Sequence, residues 1–423
     1  MPAPASELLI RLFRAGLDAA DPANCLPAHL PLTRPRGRTL VVGAGKAAAA
    51  MAAAVAAHHH ARGLGPLSGV VVTRHGHGLR AGEQAPGIEI LEAGHPVPDA
   101  ASVHAGARIL AVARGCTPED RCLALLSGGA SALLVQPAPG VTLADKQAVT
   151  RQLLASGAAI AEINAVRRQL SAIKGGRLAR ELRAGEILLL AISDVPGDRL
   201  ADIGSGPLSP DPTTRADARA ILDRYGIAPS PAIARALADG AGPVGTAGAF
   251  PPVTGRIAAC SATAVDAVAR AAGAAGWAVR VLEPANGPAR DAARSHAAII
   301  RSLREAGQRA VLVSGGETTV SVAHPGGRGG RNGEYLLALA LELGPDAGVH
   351  ALAADTDGID GTGENAGALL APDTLRRAAA AGQDAAGQLS AQCSRDFFAA
   401  LGDLLVTGPT RTNVNDLRIA LVT

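Results

Sequence analysis

Aromatic residues are scarce in this sequence, and its cysteines are few and irregularly spaced. Aromatics make up only 2% of the 423 residues, so the core must be built mainly from alanine, valine, leucine and isoleucine. The five cysteines are an odd number and include no CxxC spacing, which argues against a disulfide framework and against a cysteine metal site. These absences favour a protein of a reducing compartment.

Long apolar runs and a large excess of one charge are also missing. No stretch reaches the roughly 18 apolar residues that a membrane-spanning helix needs. Glu7, Arg11 and Arg14 recur at helical intervals near the start, which indicates an amphipathic helix rather than a signal peptide. With 40 basic and 37 acidic residues, the formal charge of +3 leaves little to neutralise a nucleic-acid backbone. We therefore predict a cytoplasmic protein that binds neither membranes nor nucleic acid.

Short runs of valine, leucine and isoleucine alternate with longer alanine-rich stretches of helical character. Continuous apolar strands separated by helices are typical of a parallel sheet covered on both faces. The length fits about two or three domains, and a stretch rich in proline, glycine and alanine between about residues 226 and 255 marks a boundary. We predict two α/β domains: residues 1–240, with a doubly wound, Rossmann-like parallel sheet, and residues 241–423.

The first glycine-rich turn lies in VVGAGKAAAAMA, residues 41–52. Gly43, Gly45 and Lys46 would stand between a strand and a helix, where backbone amides and a cation suit phosphate oxygens. The pattern is not a Walker A loop, but it fits the looser GxGxx[GA] form of dinucleotide-binding turns. The acidic residue that would hold the ribose of NAD is missing, since none occurs between Lys46 and Glu83. A plain strand-to-helix turn is the alternative.

A second kind of turn occurs twice, as LALLSGGASALL over residues 123–134 and AVLVSGGETTV over residues 310–320. Each offers amides and hydroxyls at the end of a strand, where open α/β sheets bind ligands. A tight turn after a buried strand would give the same pattern. The residues predicted to bind a nucleotide in these two turns are Ser127, Gly128, Gly129, Ser131, Ser314, Gly315, Gly316 and Glu317.

A third group of residues suits a small carboxylate substrate. The stretch INAVRRQLSAIKGG, residues 163–176, predicts a helix with polar Asn164, with Arg167 or Arg168, and with Lys174 beyond it. A planar guanidinium binds a carboxylate through two hydrogen bonds. The alternative is that these charged residues are simply solvated on a helix surface.

Acidic residues follow two apolar strands. Asp194 and Asp198 lie in AISDVPGD, and AADTDGIDGTGEN contains Asp355, Asp357 and Asp360. Carboxylates gathered at strand ends suit a magnesium ion or a base that removes a hydroxyl proton. Helix capping or turn formation is the simpler alternative for each of them.

A glycine-rich segment precedes a predicted helix in GGRGGRNGEYLLALA, residues 326–340. We expect a flexible loop there, with Arg328 and Arg331 exposed. An arginine on such a loop can close over a transferring phosphate and neutralise the charge that develops. A plain surface loop is the alternative.

Ten motifs in this order resemble those of the class II glycerate 2-kinases, whose carboxyl-terminal domain is called MOFRL. They are GAGKA, GHPVPD, LSGGASALL, INAVRRQLSAIKGGRLA, ISDVPGD, IGSGP, SGGETTV, GGRNGE, DTDGIDG and TGPTRTNVNDLRIAL, and the likeness runs from about Leu8 to the end. The resemblance implies an ATP-dependent, magnesium-assisted phosphorylation of D-glycerate to 2-phosphoglycerate. It also implies a smaller, mixed-sheet second domain and an active site in the cleft between the two domains.

Residue roles follow from this resemblance. The family's essential lysine falls on Lys46 and its essential arginine on Arg331. Its functional aspartates fall on Asp194, Asp198 and Asp357. Asp194 or Asp357 would hold the magnesium ion, and Asp194 or Asp198 would accept the proton of the 2-hydroxyl.

The expected arrangement places ATP phosphates against the turns at residues 43–46 and 127–131, while Arg167 and Lys174 bind the glycerate carboxylate. Two other functions remain open. Some relatives carry the label hydroxypyruvate reductase, which implies NAD(P)H as cofactor, and the same turns would serve a non-catalytic nucleotide-binding protein. The sequence also leaves a homodimer open.

Overall fold

The computed structural model describes residues 5–238, 250–320, 327–345, 347–361 and 363–423. The chain divides into two compact units. The parallel-sheet unit comprises residues 22–258, and the mixed-sheet unit joins the first helix, α1 (Ala5–Ala20), to residues 259–423. None of the described helices is long and apolar enough to cross a membrane.

The strands of the parallel-sheet unit are β1 (Thr39–Ala44), β2 (Leu67–Arg74), β3 (Ile88–Ala93), β4 (Arg121–Leu126), β5 (Glu186–Ile192) and β6 (Val253–Ala259). Within the described residues they form one sheet in the order β3-β2-β1-β4-β5-β6, and the pairs among β1 to β5 are parallel. Every residue of β1 and β4 is buried, as continuous apolar runs require of strands that are covered on both faces.

The helices of this unit are α2 (Pro22–Cys25), α3 (Ala48–Ala61), α4 (Ala100–Arg114), α5 (Ala130–Leu133), α6 (Leu143–Ala155), α7 (Ile160–Gln169), α8 (Arg177–Glu181), α9 (Arg215–Arg224) and α10 (Pro231–Leu237). Short 3-10 turns occur at Pro27–His29 and Ile203–Ser205. Leu153 of α6, Val166 of α7 and Leu222 of α9 belong to a small hydrophobic core. This core packs α7, which carries the predicted site residues Asn164 and Arg167, against α6 and α9.

The mixed-sheet unit contains the strands β7 (Val279–Val281), β8 (Gly287–Pro288), β9 (Ala310–Ser314), β10 (Thr318–Thr319), β11 (Val349–Asp355), β12 (Gly367–Leu370), β13 (Leu404–Leu405) and β14 (Asp416–Val422). Its helices are α11 (Ser261–Ala274), α12 (Ala289–Glu305), α13 (Arg331–Leu343), α14 (Thr374–Ala380), α15 (Ala385–Ser390) and α16 (Ser394–Leu401). In the part of the chain described, the main sheet has the order β13-β12-β11-β14-β9-β7. β7 and β9 are parallel, and the other neighbours are antiparallel. The predicted class, α/β with one parallel and one mixed sheet, is confirmed.

The compact units differ from the domain bounds expected from the sequence. We expected residues 1–240 to form one domain, but α1 groups with residues 259–423 because its apolar face is buried there. A Cβ at Gly16 of α1 would lie 2.6 Å from Leu417 Cδ1 of β14, which shows how closely the two elements approach. The other boundary falls at residue 258, since β6 still joins the parallel sheet.

Candidate active site

The turn after β1 and the turn after β4 interlock at the carboxyl edge of the parallel sheet. The Lys46 amide donates to Gly128 O at 2.8 Å, and the Ala47 amide donates to Ser127 Oγ at 3.0 Å. The Gly45 amide is also occupied, by a carbonyl of β2 at 3.1 Å. These three amides are used inside the protein. In this conformation they do not cradle phosphate, contrary to the expectation from the glycine pattern.

Gly43 and Gly45 are explained by this interlocking. A Cβ at Gly45 would lie 2.1 Å from Ser127 Oγ, and a Cβ at Gly43 would lie 2.7 Å from Leu125 O. Gly45 also has a φ of +137°, which residues with a side chain rarely adopt. The glycines therefore allow β4 and its turn to approach β1, and no ligand is needed to account for them.

The turn after β4, in contrast, keeps free donors. No acceptor among the described residues contacts the backbone N–H of Gly128 or Gly129. A Cβ at Gly129 would lie 2.9 Å from Cδ2 of His95 and 3.4 Å from Cγ of Lys46. Lys46 and His95 therefore flank the amides that are available to a ligand. His95 is not among the predicted site residues, and its signal in the sequence is that GHPVPD directly follows β3.

A chain of polar side chains links three regions of this unit. Ser131 Oγ and Ser205 Oγ are 2.6 Å apart, and Ser205 Oγ donates to Asn164 Oδ1 at 3.3 Å. The buried Lys174 donates from Nζ to Gly204 O at 3.3 Å in the same loop. Ser131, Asn164 and Lys174 are thus connected through residues that the prediction missed. The motif IGSGP was the available signal for Ser205, which adopts a φ of +62°.

The structure separates the two neighbouring arginines of α7. Arg168 is buried, and its Nε lies 3.0 Å from Asp211 Oδ1. Arg167 is half-buried, and no acidic side chain in the described residues pairs with its guanidinium. Burial lowers the pKa of Arg167. Of the two, Arg167 is therefore the one whose charge is available to an anion.

Asp194 and Asp198 follow β5, the neighbour of β4, and both are half-buried. Because β4 and β5 are parallel, Asp194 lies at the same edge of the sheet as the turn after β4. Asp198 has a φ of +53°, and its amide donates to Val195 O at 3.0 Å, which closes a tight turn. Both aspartates therefore follow the strand end at which the free amides lie.

Arg331, in the mixed-sheet unit, is not exposed on a flexible loop as the glycine-rich sequence suggested. It is the first residue of α13, and its side chain is 24% exposed. Nη2 lies 2.6 Å from Asp355 Oδ2, Nε lies 2.9 Å from Asp416 Oδ1, and Nη1 pairs with Glu317. Burial lowers the pKa of Arg331, but the three carboxylates outweigh it and raise that pKa above its usual value. These ion pairs hold the arginine in place.

The turn SGGE after β9 is closely packed. A Cβ at Gly315 would lie 2.1 Å from Ser261 Oγ at the start of α11. The amides of Gly316 and Glu317 donate to Ser261 and to a loop asparagine, at 3.3 and 3.2 Å. Ser314 Oγ is buried and has no hydrogen-bond partner in the described part of the chain. Ser314 is therefore the member of this turn that keeps an unused polar atom.

Two other aspartates of the predicted acidic segment, Asp357 and Asp360, bind backbone amides. Asp360 accepts from the amides of Asn332 and Gly333 at 3.0 and 2.9 Å and so caps α13, and burial raises its pKa to about 6. Asp357 Oδ1 accepts from an amide two residues ahead at 2.8 Å. Over the described residues, no three histidine, cysteine or acidic side chains gather in a group that could hold a metal. Asp194 and Asp357 stay predictions as magnesium ligands.

The chain is similar to proteins of known sequence and structure over nearly its whole length. Residues 8–238 match the model described as domain of unknown function DUF4147, and residues 310–416 match the MOFRL family. A putative hydroxypyruvate reductase of Agrobacterium vitis is 50% identical over 99% of this chain and 94% of its own. The D-glycerate 2-kinase of Thermotoga maritima is 36% identical over 98% of both chains. The crystal structure of glycerate kinase from Thermotoga maritima superposes with a TM-score of 0.87 at 35% identity, over 99% of this chain and 100% of the other.

Proposed function

Because the chain belongs to the glycerate kinase family with DUF4147 and MOFRL regions, we propose that it is an ATP-dependent D-glycerate 2-kinase. It would transfer the γ-phosphoryl group of ATP to the 2-hydroxyl of D-glycerate. The name of the Thermotoga maritima relative supplies this substrate and this position. The roles proposed for the residues below draw on the geometry of each unit.

The turn after β4 is the observation that carries the proposal. Its free amides at Gly128 and Gly129 can donate hydrogen bonds to phosphate oxygens, and Lys46 flanks them with a positive charge. Phosphoryl transfer requires alignment and charge stabilisation rather than covalent chemistry by the protein. A turn that combines free amides with a lysine supplies both. Lys46 would neutralise the charge that develops on the transferred group.

Arg167 and Lys174 support a carboxylate substrate. Arg167 has no acidic partner among the described side chains, and Lys174 is buried with a single carbonyl at 3.3 Å from its Nζ. Burial, and then the charges of Lys146 and Arg167, lower the pKa of Lys174, and a bound anion would favour its protonated form. Asn164 and Ser205, which already share a hydrogen bond, would bind the hydroxyl groups.

Asp194 or Asp198 would accept the proton of the 2-hydroxyl, since both follow the strand end beside the free amides. Asp194 or Asp357 would hold magnesium. One such carboxylate is enough for this ion, because magnesium in kinases keeps water and phosphate oxygens as its other ligands. When bound, magnesium neutralises the charge on the β- and γ-phosphates of ATP.

The name of the Agrobacterium vitis relative raises a second candidate, an NAD(P)H-dependent hydroxypyruvate reductase. Such an enzyme needs a turn whose amides bind the dinucleotide pyrophosphate. The sequence pattern for that turn lies at residues 43–48, where the amides of Gly45, Lys46 and Ala47 donate to other parts of the protein. The hydrogen bonds of this turn therefore favour the kinase.

Assays of both activities on one preparation test the proposal. We expect ADP to form only when D-glycerate is present with ATP and magnesium, and phosphorus NMR to show the phosphate at position 2. Lys46→Ala should lower kcat by about 100-fold or more, because a charge that stabilises the transferred group is lost. Arg62→Ala removes an exposed cation next to α3 and should leave kcat unchanged.

Two results would contradict the kinase. NADH oxidation on addition of hydroxypyruvate, without glycerate-dependent ADP, would favour the reductase. ATP binding with neither activity would favour a non-catalytic nucleotide-binding protein. Full activity of a folded Lys46→Ala variant would leave the kinase standing and remove Lys46 from the mechanism.

A further inference from the structure

Four basic residues, Lys146, Arg167, Lys174 and Arg177, form a cluster in the parallel-sheet unit. Lys146 and Lys174 are buried, with 8% and 2% of their surface exposed, and the two arginines are half-buried. The charges of Arg167 and Arg177 act on Lys146, and those of Lys146 and Arg167 act on Lys174. Lys146 is not among the residues that the sequence singled out.

The acidic residues around this cluster have other partners. Asp145 on α6 accepts hydrogen bonds from Thr142 and Ser230. Glu162 on α7 accepts from Arg224 and Tyr225, and Glu181 on α8 accepts from Arg114. Asp211 accepts from Gln169 and also lies beside Arg168. Among the described residues, no carboxylate forms an ion pair with Lys146, Arg167 or Lys174. A buried cation is unfavourable unless it is paired or neutral. The cluster therefore requires either an anion or the loss of a proton.

Lys146 can hold its position in either protonation state. Its Nζ lies 2.8 Å from Leu170 O and 3.4 Å from Arg167 O, at the end of α7, where carbonyls have no partner within the helix itself. A neutral amine has two hydrogens and can donate to both carbonyls. Burial, and then the charges of Arg167 and Arg177, lower the pKa of Lys146 to about 7. Its neutral form is therefore accessible near neutral pH.

The amino-acid usage of the chain makes this lysine unusual. The sequence has 37 arginines and only three lysines, Lys46, Lys146 and Lys174. Arginine stays protonated in proteins, whereas a buried lysine can lose its charge. The chain thus places a basic residue that can become neutral at the point where several cations meet without a counter-ion.

We propose that Lys146 is a positioning residue of the substrate site, neutral when the site is empty and protonated when a carboxylate binds Arg167 and Lys174. This proposal rests on the proposed function, because it takes D-glycerate to be that carboxylate. The substrate's negative charge offsets the neighbouring cations, and the Lys146 amine takes one proton from water. D-glycerate therefore binds together with a proton, while Lys146 keeps the last turn of α7, and with it Arg167, in place.

The charged groups that face the cluster set the sign of the pH dependence. Arg167 and Arg168 belong to α7, and Lys174 and Arg177 belong to the segment after it. Arg177 is in turn affected by the charges of Arg180 of α8, of Arg215 of α9 and of Asp211 in the loop before α9. Arginines keep their charge over the relevant range, so Lys146 and Lys174 are the groups that titrate, and burial with the charges of Lys146 and Arg167 lowers the pKa of Lys174 as well. Above about pH 7 the affinity for D-glycerate should fall by up to about tenfold per pH unit, as expected when binding takes up one proton.

Lysine-selective NMR tests this directly, because a chain labelled with carbon-13 at lysine Cε gives three signals. Lys→Arg variants at the three positions assign them. The full-length protein, with magnesium and a non-hydrolysable ATP analogue, is titrated from pH 6 to pH 10 with and without D-glycerate. We expect the midpoint of Lys146 to lie near pH 7 without D-glycerate and to rise by one pH unit or more with it. A midpoint that D-glycerate leaves unchanged, or a Lys146 that stays charged to pH 9 in its absence, overturns the inference.

Kinetics distinguish proton uptake from a purely structural role. In the wild type, KM for D-glycerate should rise above pH 7, whereas Lys146→Gln, which keeps an N–H donor, should show a KM that is flat over the same range. Lys146→Arg, which stays charged, should retain a low KM at pH 9. A parallel rise of KM in the wild type and in Lys146→Gln overturns the inference even if the protein is a glycerate kinase. If no glycerate-dependent ADP forms, the proposed function fails, and the NMR midpoints still decide the inference.

Discussion

Arg331 holds three carboxylates together at the start of α13, so we expect its charge to matter for stability. Arg331→Gln leaves Asp355, Asp416 and Glu317 without this partner. We expect a loss of about 3 kcal/mol in the free energy of unfolding, measured by urea denaturation, because breaking a largely buried ion pair leaves charges uncompensated.

Arg328 provides the matched control for this prediction. It lies three residues earlier, is 63% exposed and pairs with Asp396 at 3.6 Å. Arg328→Gln should change the free energy of unfolding by less than about 1 kcal/mol, as is usual for exposed ion pairs. Equal losses in the two variants would show that the carboxylates around Arg331 do not depend on it.

The sequence indicated which residue types to consider but not how they are engaged. Lys46 and Arg167 could be singled out because each stands in a short local pattern. The partners of Arg331 could not, since Asp416 lies 85 residues away in the chain and the two meet only through the fold. The same reason hid Lys146, whose contact with Leu170 joins α6 to the end of α7.

At the scale of elements, α1 shows how close packing overrides local preference. Helix propensity favours valine over glycine by a few tenths of a kcal/mol, so Gly16→Val should stabilise the helix by itself. A Cβ at Gly16 would, however, lie 2.6 Å from Leu417 Cδ1 and 3.2 Å from Val268 Cγ2. We expect a net loss of about 1 to 3 kcal/mol in the free energy of unfolding, because the contact with β14 and α11 becomes overpacked.

Arg14→Val is the control for this prediction, because Arg14 is exposed on the same helix. It should change the free energy of unfolding by no more than about 0.5 kcal/mol. A stabilised Gly16→Val variant would mean that α1 does not depend on this close approach.

Element prediction succeeded where the apolar pattern was continuous. β1, β4 and β5 are nearly or fully buried, and their runs of valine, leucine and isoleucine allowed no other assignment than a covered sheet. The start of α13 was hidden, because the five glycines of residues 326–333 are typical of a loop. Asp360, which caps that helix from a distant segment, supplies the missing signal only in the folded chain.

At the scale of the whole molecule, the resemblance to the class II glycerate 2-kinases implies that Lys46 and Arg331 act in the same chemical step. Lys46→Ala and Arg331→Gln should then overlap in their effects, so the double variant should have a kcat close to that of the slower single variant. The measurement is glycerate-dependent ADP formation at a temperature at which melting curves show all variants folded. Lys46→Ala combined with Arg328→Gln is the matched control and should equal Lys46→Ala. A double variant whose loss is the full product of the single losses would assign the two residues to separate steps.

The composition of the units could be predicted only in part. The change to proline and glycine after residue 226 led us to expect a boundary at residue 240, whereas the parallel-sheet unit extends to residue 258. The return of α1 to the mixed-sheet unit could not be foreseen, because an amphipathic stripe identifies a buried face without identifying what covers it.

The two segments of the mixed-sheet unit are synthesised at different times, because residues 22–258 lie between them in the chain. In the folded chain α1 contacts α11, β11 and β14. During synthesis α1 emerges before residues 22–258, and these three elements emerge after them. That intervening stretch is continuous and can fold as it emerges. The apolar face of α1 therefore stays without its native contacts until β14 has been synthesised.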